Sequence, residues 1–274
     1  MTWWVDRSAR IDGTVTAWRE AGSGDPLVFL HGLGGTREAW NPQLMAFSDR
    51  HRCIAWDMPG YGDSDGEPDL TYETIADRLA ALIRHLGYRQ VDLIGLSFGG
   101  MHALHTALHH PDLVGRLVLA DTSPAFGMDG TTPEAWKASR LSAIEEGETP
   151  ASIAPQVLDS IVASPLDPEI RAQLIGAFSR IPVDGFRSAV ECLPHNDIRP
   201  DLQRITNEAL VIVGELDTET PVAYARTLAD GLPSARLVIL PGVGHLAPSE
   251  SPKLFNQQVL GFLTSTHPIS GSSS

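Results

Sequence analysis

Cysteine is scarce in this chain: of 274 residues, only Cys53 and Cys192 carry a thiol. Two thiols so far apart provide no disulfide framework and no metal-ligand spacing. Cys53 sits in the apolar run Cys53-Ile54-Ala55-Trp56 and reads as a small buried hydrophobe. Cations are also in short supply. The 20 Lys and Arg face 34 Asp and Glu, for a formal net charge of −14. Such a field repels phosphate backbones and anionic lipid surfaces, so nucleic acid and membrane are not expected partners. Long hydrophobic runs are missing: none approaches the ~18 apolar residues needed to span a bilayer. The opening residues Met1-Thr2-Trp3-Trp4-Val5-Asp6-Arg7 lack the apolar core of a signal peptide, and a cytoplasmic protein is expected. No internal repeat occurs. Residues 268–274, ending Ser272-Ser273-Ser274, read as a disordered tail without chemistry.

A composition that is 42% hydrophobic suits one globular core with room for an inserted subdomain. Residues 3–10 and 14–21 read as two strands joined by Asp12-Gly13, a hairpin signal. Short apolar runs follow at 26–30, 52–56, 91–96, 116–120, 209–213 and 236–240. They lack polar alternation, as expected of strands buried on both faces. Helices are predicted near 37–48, 71–87, 98–110, 221–231 and 251–265. Within 71–87, Ile75, Leu79, Leu82, Ile83 and Leu86 share one face, Thr71 is the expected N-cap and Gly87 the stop. This alternation predicts an α/β protein with a mostly parallel eight-stranded sheet and helices on both faces. The alternation lapses between β-like segments at 116–120 and 209–213, where prolines recur and no strand is convincing. The expected organisation is a core of 1–124 and 203–267, with 125–202 inserted as a helical cap.

Gly95-Leu96-Ser97-Phe98-Gly99 stands where a strand gives way to a helix. A serine between two glycines at such a turn has the form of a nucleophile elbow. The turn strains the serine backbone, and side chains at the flanking positions would meet the neighbouring strand and helix. Serine is a poor nucleophile until a base takes its proton, and a carboxylate must hold that base in the right tautomer. Asp217 follows the strand at 209–213, and His245 follows the strand at 236–240, in the loops where open α/β sheets gather their chemistry. Asp121 is the rival acid. Asp217 could also cap the helix that follows it, while Glu215 and Glu219 beside it read as solvated or helix-terminal charges. His31-Gly32-Leu33-Gly34-Gly35 supplies the remaining part: the backbone N–H groups of Leu33 and Phe98 are the expected oxyanion donors. His31 reads as a structural group bonding that loop, and the Asp57–Ser64 loop as a structural turn held by Asp57. His102, His105, His109 and His110 share a helix, but without a completing ligand they read as ordinary core and surface residues. No metal and no cofactor is expected.

The chain resembles α/β-hydrolase-fold serine hydrolases over nearly its whole length. The motifs that carry this are His31-Gly32 with Gly34-Gly35, Asp57–Ser64, the elbow Gly95–Gly100, Gly214 through Asp217 to Pro221, and Gly244-His245. Within that family it is most similar to the 3-oxoadipate enol-lactonase-like group, through Asp197-Ile198-Arg199-Pro200 and the Asp217–Pro221 loop. It departs from that group in its more glycine-rich oxyanion loop and in Phe98, where methionine is usual. The resemblance implies hydrolysis of a small carboxylic ester or lactone through an acyl-enzyme. Carbon–carbon bond hydrolysis, cofactor-free perhydrolysis and a ligand-receptor role are the alternatives on the same fold. Aspartate-nucleophile dehalogenases and epoxide hydrolases are disfavoured by Ser97. Trp136, Phe126, Met128 and Leu246 are the expected substrate contacts, with Phe178, Phe186 and Leu193 as further apolar candidates. Arg140, Arg187 and His195 are candidates for a substrate carboxylate. The expected partner is a small-molecule ester or lactone, and a homodimer is left open.

Overall fold

The computed structural model describes residues 3–264. Strands β1 (Val5–Ile11) and β2 (Thr14–Ala21) form the expected antiparallel hairpin. Asp12 and Gly13 both take positive φ, 48° and 83°, the turn whose twist matches paired strands. Then follow β3 (Asp25–Leu30), β4 (His51–Trp56), β5 (Val91–Leu96), β6 (Val114–Ala120), β7 (Ala209–Gly214) and β8 (Ala235–Leu240). The eight strands form one sheet in the order β1-β2-β4-β3-β5-β6-β7-β8. The β1/β2 and β2/β4 pairs are antiparallel; every later pairing is parallel.

Strand order reverses at β3, which lies between β4 and β5. Connections leave β3 and β5 in opposite directions there, and the crevice left at their carboxyl ends is where such sheets bind ligands. The glycine-rich loop after β3 and the serine after β5 are therefore brought side by side.

Consecutive residues of each strand divide between two cores, because side chains alternate across a sheet. Leu27, Phe29, Cys53 and Ala55 join Trp40, Phe47 and Phe255 on one face. Val28, Leu30, Ile54 and Trp56 join Ile75, Leu79 and Leu104 on the other. Helix α1 (Asn41–Phe47) is preceded by a 3-10 turn at Arg37–Trp40. The single helix expected over 37–48 is thus divided, and the break falls where Pro42, which has no N–H to offer the preceding turn, must sit in a first turn. Helix α2 (Tyr72–His85) starts at Thr71 as expected: its hydroxyl accepts the Thr74 N–H (3.1 Å), and Thr74 Oγ1 accepts the Thr71 N–H (2.9 Å). Helix α3 (Phe98–His109) follows β5.

Between β6 and β7 the chain forms α4 (Pro133–Glu145), α5 (Pro150–Ile161), α6 (Pro168–Ser179) and α7 (Val183–Cys192). Three of the prolines that interrupt the sequence pattern open α4, α5 and α6, where a missing N–H costs nothing. Thr132, Thr149 and Asp167 cap these starts. The insertion leaves and re-enters the core through a narrow neck. Phe126 N–H donates to the Asn196 carbonyl (2.8 Å) and Ile198 N–H to the Pro124 carbonyl (2.9 Å), and Ala125 bridges Asp197.

Helix α8 (Val222–Gly231) follows β7, and α9 (Ala247–Glu250) and α10 (Pro252–Thr264) close the fold. Residue 265, the expected end of the last helix, lies outside the described residues, as do the expected core end at 267 and the tail 268–274. Among the described residues no helix is long and apolar enough to cross a membrane.

Candidate active site

Ser97 leaves β5 at φ 54° and ψ −117°, a conformation that costs an L-residue on the order of 1–3 kcal/mol. The surroundings enforce it. The Ser97 N–H donates to the Ala120 carbonyl (2.8 Å), and the Thr122 hydroxyl donates to the Ser97 carbonyl (2.7 Å). The flanking glycines are steric necessities. A Cβ at Gly95 would lie 2.3 Å from the Gly99 carbonyl oxygen, and one at Gly99 would lie 2.1 Å from the Leu30 carbonyl oxygen. The start of α3 can therefore press against both β5 and β3, which leaves the Ser97 hydroxyl standing clear of the sheet.

His245 reaches that hydroxyl from the loop after β8: Ser97 Oγ lies 3.0 Å from Nε2. The other ring nitrogen, Nδ1, lies 3.0 and 2.9 Å from the two carboxylate oxygens of Asp217, in the loop after β7. Nδ1–H donates to Asp217, which leaves Nε2 free to accept the serine proton. Asp217 itself accepts from Glu219 N–H (2.8 Å), Thr220 N–H (3.0 Å) and the Thr220 hydroxyl (2.8 Å). It therefore organises the turn before α8 as well as holding His245.

Burial disfavours the imidazolium of His245, but the Asp217 charge and hydrogen bond outweigh it and hold its pKa above the ordinary 6.5. Burial likewise opposes the Asp217 carboxylate, and His245 with the Thr220 bonds brings its pKa below 3.8. Asp121, the rival acid, has φ 44° at the end of β6. Its oxygens are taken by Gly214 N–H and Ala247 N–H, each at 2.9 Å. It joins the loops that carry Asp217 and His245, and its completely buried carboxyl has a pKa well above 3.8 through desolvation.

The loop after β3 is fixed from beneath. His31 Nδ1–H donates to the Gly32 carbonyl (2.9 Å), and Nε2 accepts the Met58 N–H (3.2 Å). Burial drives the His31 pKa down to about 4, which keeps the ring neutral and this tautomer in place. Tyr61 stacks on it (5.1 Å between centroids) and donates its hydroxyl to the Leu33 carbonyl (3.0 Å). Asp57 is buried, pairs with Arg37 and accepts the Arg37 N–H (2.7 Å) and the Asp63 N–H (3.2 Å). Among the described residues, neither the Leu33 N–H nor the Phe98 N–H has a hydrogen-bond partner. Leu33 lines the same cavity as Ser97, and Phe98 follows Ser97 as the first residue of α3.

A cavity of about 320 Å³ opens onto Ser97 and His245. Of the expected contacts, Trp136 and Leu246 line it, as do Leu33, Phe178, Phe186, Leu193 and Arg140. Phe126 and Met128 do not. Phe126 packs edge-on behind Trp136 (5.8 Å between centroids), and Met128 Sδ lies against Ser123 Oγ (3.7 Å). Both follow the neck closely, so they lie too near the rim of the insertion to reach the cavity. Arg187 faces Glu145 (4.0 Å) away from the cavity wall. His195 is also outside it. The predicted histidine cluster has other roles: His105 of α3 bonds Asn196 (3.0 Å) and stacks on Tyr72 (4.2 Å), and His110, just past the end of α3, bonds Asp77 (2.7 Å).

Other contributors escaped the sequence reading. Ile153, Val157 and Ile161 of α5 form a wall of the cavity. Their i, i+4, i+8 spacing is the signal that could have found them. Trp40 lines the cavity as well. Glu219, part-exposed just ahead of α8, also pairs with Arg140, whose guanidinium lies over the Trp136 ring (4.4 Å). Both charged groups line the cavity.

Known proteins share this architecture. The alpha/beta hydrolase fold family matches residues 25–252. The 3-oxoadipate enol-lactonase 2 of Acinetobacter baylyi is 29% identical over 242 residues, 85% of this chain and 86% of that protein. The pimeloyl-(acyl-carrier protein) methyl ester esterase of Vibrio cholerae is 30% identical over 253 residues, covering 90% and 97%. The solved enol-lactonase of Burkholderia xenovorans superposes with a TM-score of 0.85 at 28% identity, covering 94% of this chain and 100% of that one. By sequence, sheet order and the placement of its strand-end loops, the chain belongs to the alpha/beta hydrolase fold family.

Proposed function

We propose that this protein is a serine hydrolase that cleaves a small carboxylic ester or lactone through an acyl-enzyme. The observation that carries this reading is the hydrogen-bonded chain from Ser97 Oγ through His245 to Asp217, opening into a mainly apolar cavity. Ser97 Oγ attacks the substrate carbonyl carbon while its proton passes to His245 Nε2. The tetrahedral oxyanion is held by the N–H groups of Leu33 and Phe98. His245 then protonates the leaving oxygen as the carbon–oxygen bond breaks. A water molecule, giving its proton to His245, attacks the acyl carbon and releases the acid and Ser97. Asp217 orients the imidazole and stabilises its charged form.

The steps call on no cofactor or metal, and the reading takes residues 125–202 as the cap that shapes the substrate space. At about 320 Å³ the cavity is at the small end for ligand sites, which favours a compact acyl group. Likeness to two enol-lactonases favours an enol-lactone-like substrate. The setting is a cytoplasmic enzyme acting on a small molecule.

The test is hydrolysis of p-nitrophenyl esters from acetate to octanoate, with Ser97→Ala alongside. Many turnovers in the parent, and neither turnover nor covalent labelling by an organophosphonate in folded Ser97→Ala, are expected. Labelling that persists in Ser97→Ala removes Ser97 from the mechanism. A single burst without turnover favours a receptor role or a very selective carbon–carbon bond hydrolase.

A further inference from the structure

The far end of α5 is joined to the His245 loop by bonds that the reaction steps do not use. The His245 backbone N–H donates to the Ile161 carbonyl (3.0 Å). The Glu250 carboxylate gathers three further amides. Its Oε2 accepts from Ala163 N–H (2.8 Å) and Gly244 N–H (3.0 Å), and its Oε1 accepts from Leu246 N–H (3.0 Å). Gly244 and Leu246 flank His245 in the chain, and Ala163 follows closely on the end of α5. One carboxylate therefore holds both sides of the base and the helical insertion together.

The local sequence makes this possible. Glu250 ends α9 and donates its own N–H to the Leu246 carbonyl (2.8 Å). A single helical turn thus folds its side chain back over the amides that precede it. Gly244 leaves the space: a Cβ there would lie 2.6 Å from Ala163 N and 2.9 Å from Glu250 Oε1. Ile161 links this junction to the substrate space, because it lines the cavity and its carbonyl takes the His245 amide.

We infer that Glu250 is a positioning residue for His245, coupling the seating of α5 to the geometry of the base. The inference rests on the proposed role of His245. Bonds from amides to an ionised carboxylate are about twice as strong as neutral ones. Without them three amides must find water, and the His245 loop is released on both sides. A displacement of ~1 Å between reacting groups costs on the order of 100-fold in rate, and the Ser97–His245 contact at 3.0 Å has little room to lengthen.

The experiment compares the parent with Glu250→Ala, Glu250→Gln and Ser97→Ala on p-nitrophenyl acetate. kcat and KM are measured separately, well below each melting temperature, and backbone hydrogen exchange is followed at Ala163, His245 and Leu246. In Glu250→Ala, kcat is expected to fall about 30-fold with KM moving far less, since Glu250 itself does not line the cavity. Glu250→Gln keeps one acceptor oxygen and loses about fivefold. The decisive signal is the His245 amide, which bonds Ile161 and not Glu250: its protection falls together with that of Ala163. A kcat within about twofold of the parent overturns the inference. So does a lower melting temperature with the His245 amide as protected as before. Should Glu250→Ala fail to fold, Glu250→Gln decides by the same two readings. If Ser97→Ala is inert while both Glu250 variants keep full kcat, this inference fails and the serine-hydrolase reading stands. Turnover that survives in Ser97→Ala overturns both.

Discussion

Replacing Asp217 by asparagine tests the site at its buried carboxylate. Oδ1 of Asp217 accepts Glu219 N–H (2.8 Å) and Thr220 N–H (3.0 Å), so the asparagine oxygen is drawn to that side. The new amide nitrogen then replaces Oδ2, which lies 2.9 Å from His245 Nδ1, while the oxygen kept at the Oδ1 position, 3.0 Å from Nδ1, is already shared by two backbone amides. Two donors cannot share that contact. The imidazole answers by moving its proton to Nε2, and Nε2–H can no longer accept the Ser97 proton. In a triad the wrong tautomer lowers kcat by about 10,000-fold, roughly 5 kcal/mol of barrier. The fold is kept, because the oxygen still secures the turn before α8.

The pH profile adds a second sign. Turnover requires neutral His245, whose pKa the Asp217 charge raises above 6.5. The parent therefore gains kcat/KM as pH rises through an ascending limb above 6.5, and levels off once the ring is neutral. In Asp217→Asn the charge is gone while the burial remains, so the limb moves to lower pH. The assay is p-nitrophenyl acetate hydrolysis from pH 5 to pH 10, with the active fraction counted by phosphonate labelling. A loss below about tenfold with an unmoved limb refutes the assignment, and Asp121 becomes the acid to test.

Three further outcomes follow from the packing. Gly99→Ala places a Cβ 2.1 Å from the Leu30 carbonyl oxygen, a clash between backbones that no rotamer relieves. It should destabilise by about 3 kcal/mol, read from the urea midpoint, and an unchanged midpoint would show that the elbow has slack. The pair Ile153→Ala and Val157→Ala widens the cavity wall formed by α5. The octanoate-to-acetate ratio of kcat/KM should rise about tenfold, whereas a constant ratio would remove α5 from the acyl site. Cys53 and Cys192 are buried, and desolvation pushes each thiol up to about 12. Both should resist a disulfide reagent at pH 8 until the protein unfolds; rapid reaction of the native protein would contradict their burial.

Much of this protein is written in short stretches of chain, because the rules that govern those stretches are local. Apolar strands of five or six residues, Thr71 ahead of an amphipathic run and Asp12-Gly13 between two strands each specify their own geometry. The elbow is equally local: Gly95 and Gly99 are needed because Ser97 turns within that pentapeptide. The order of strands and strand-end loops then brings the remaining groups to one edge of the sheet, since parallel strands all present their carboxyl ends there.

Other features could only be decided by tertiary structure. Asp121 and Asp217 both follow strands, and spacing alone leaves either as a partner for histidine. Their directions separate them: Asp121, at φ 44°, turns to the amides of Gly214 and Ala247, while Asp217 faces His245. Phe126 and Met128 have the right chemistry for a pocket and the wrong position, at the neck of the insertion. Ile153 and Val157 line it because that face of α5 is turned toward the cavity. The partners of Glu219 and Glu250 come from Arg140 and Ala163, far away in the chain. Periodicity reports which side of a helix is apolar, but not where the helix is placed. That placement depends on contacts between segments remote in sequence, and in this fold those contacts shape the substrate space and hold the base.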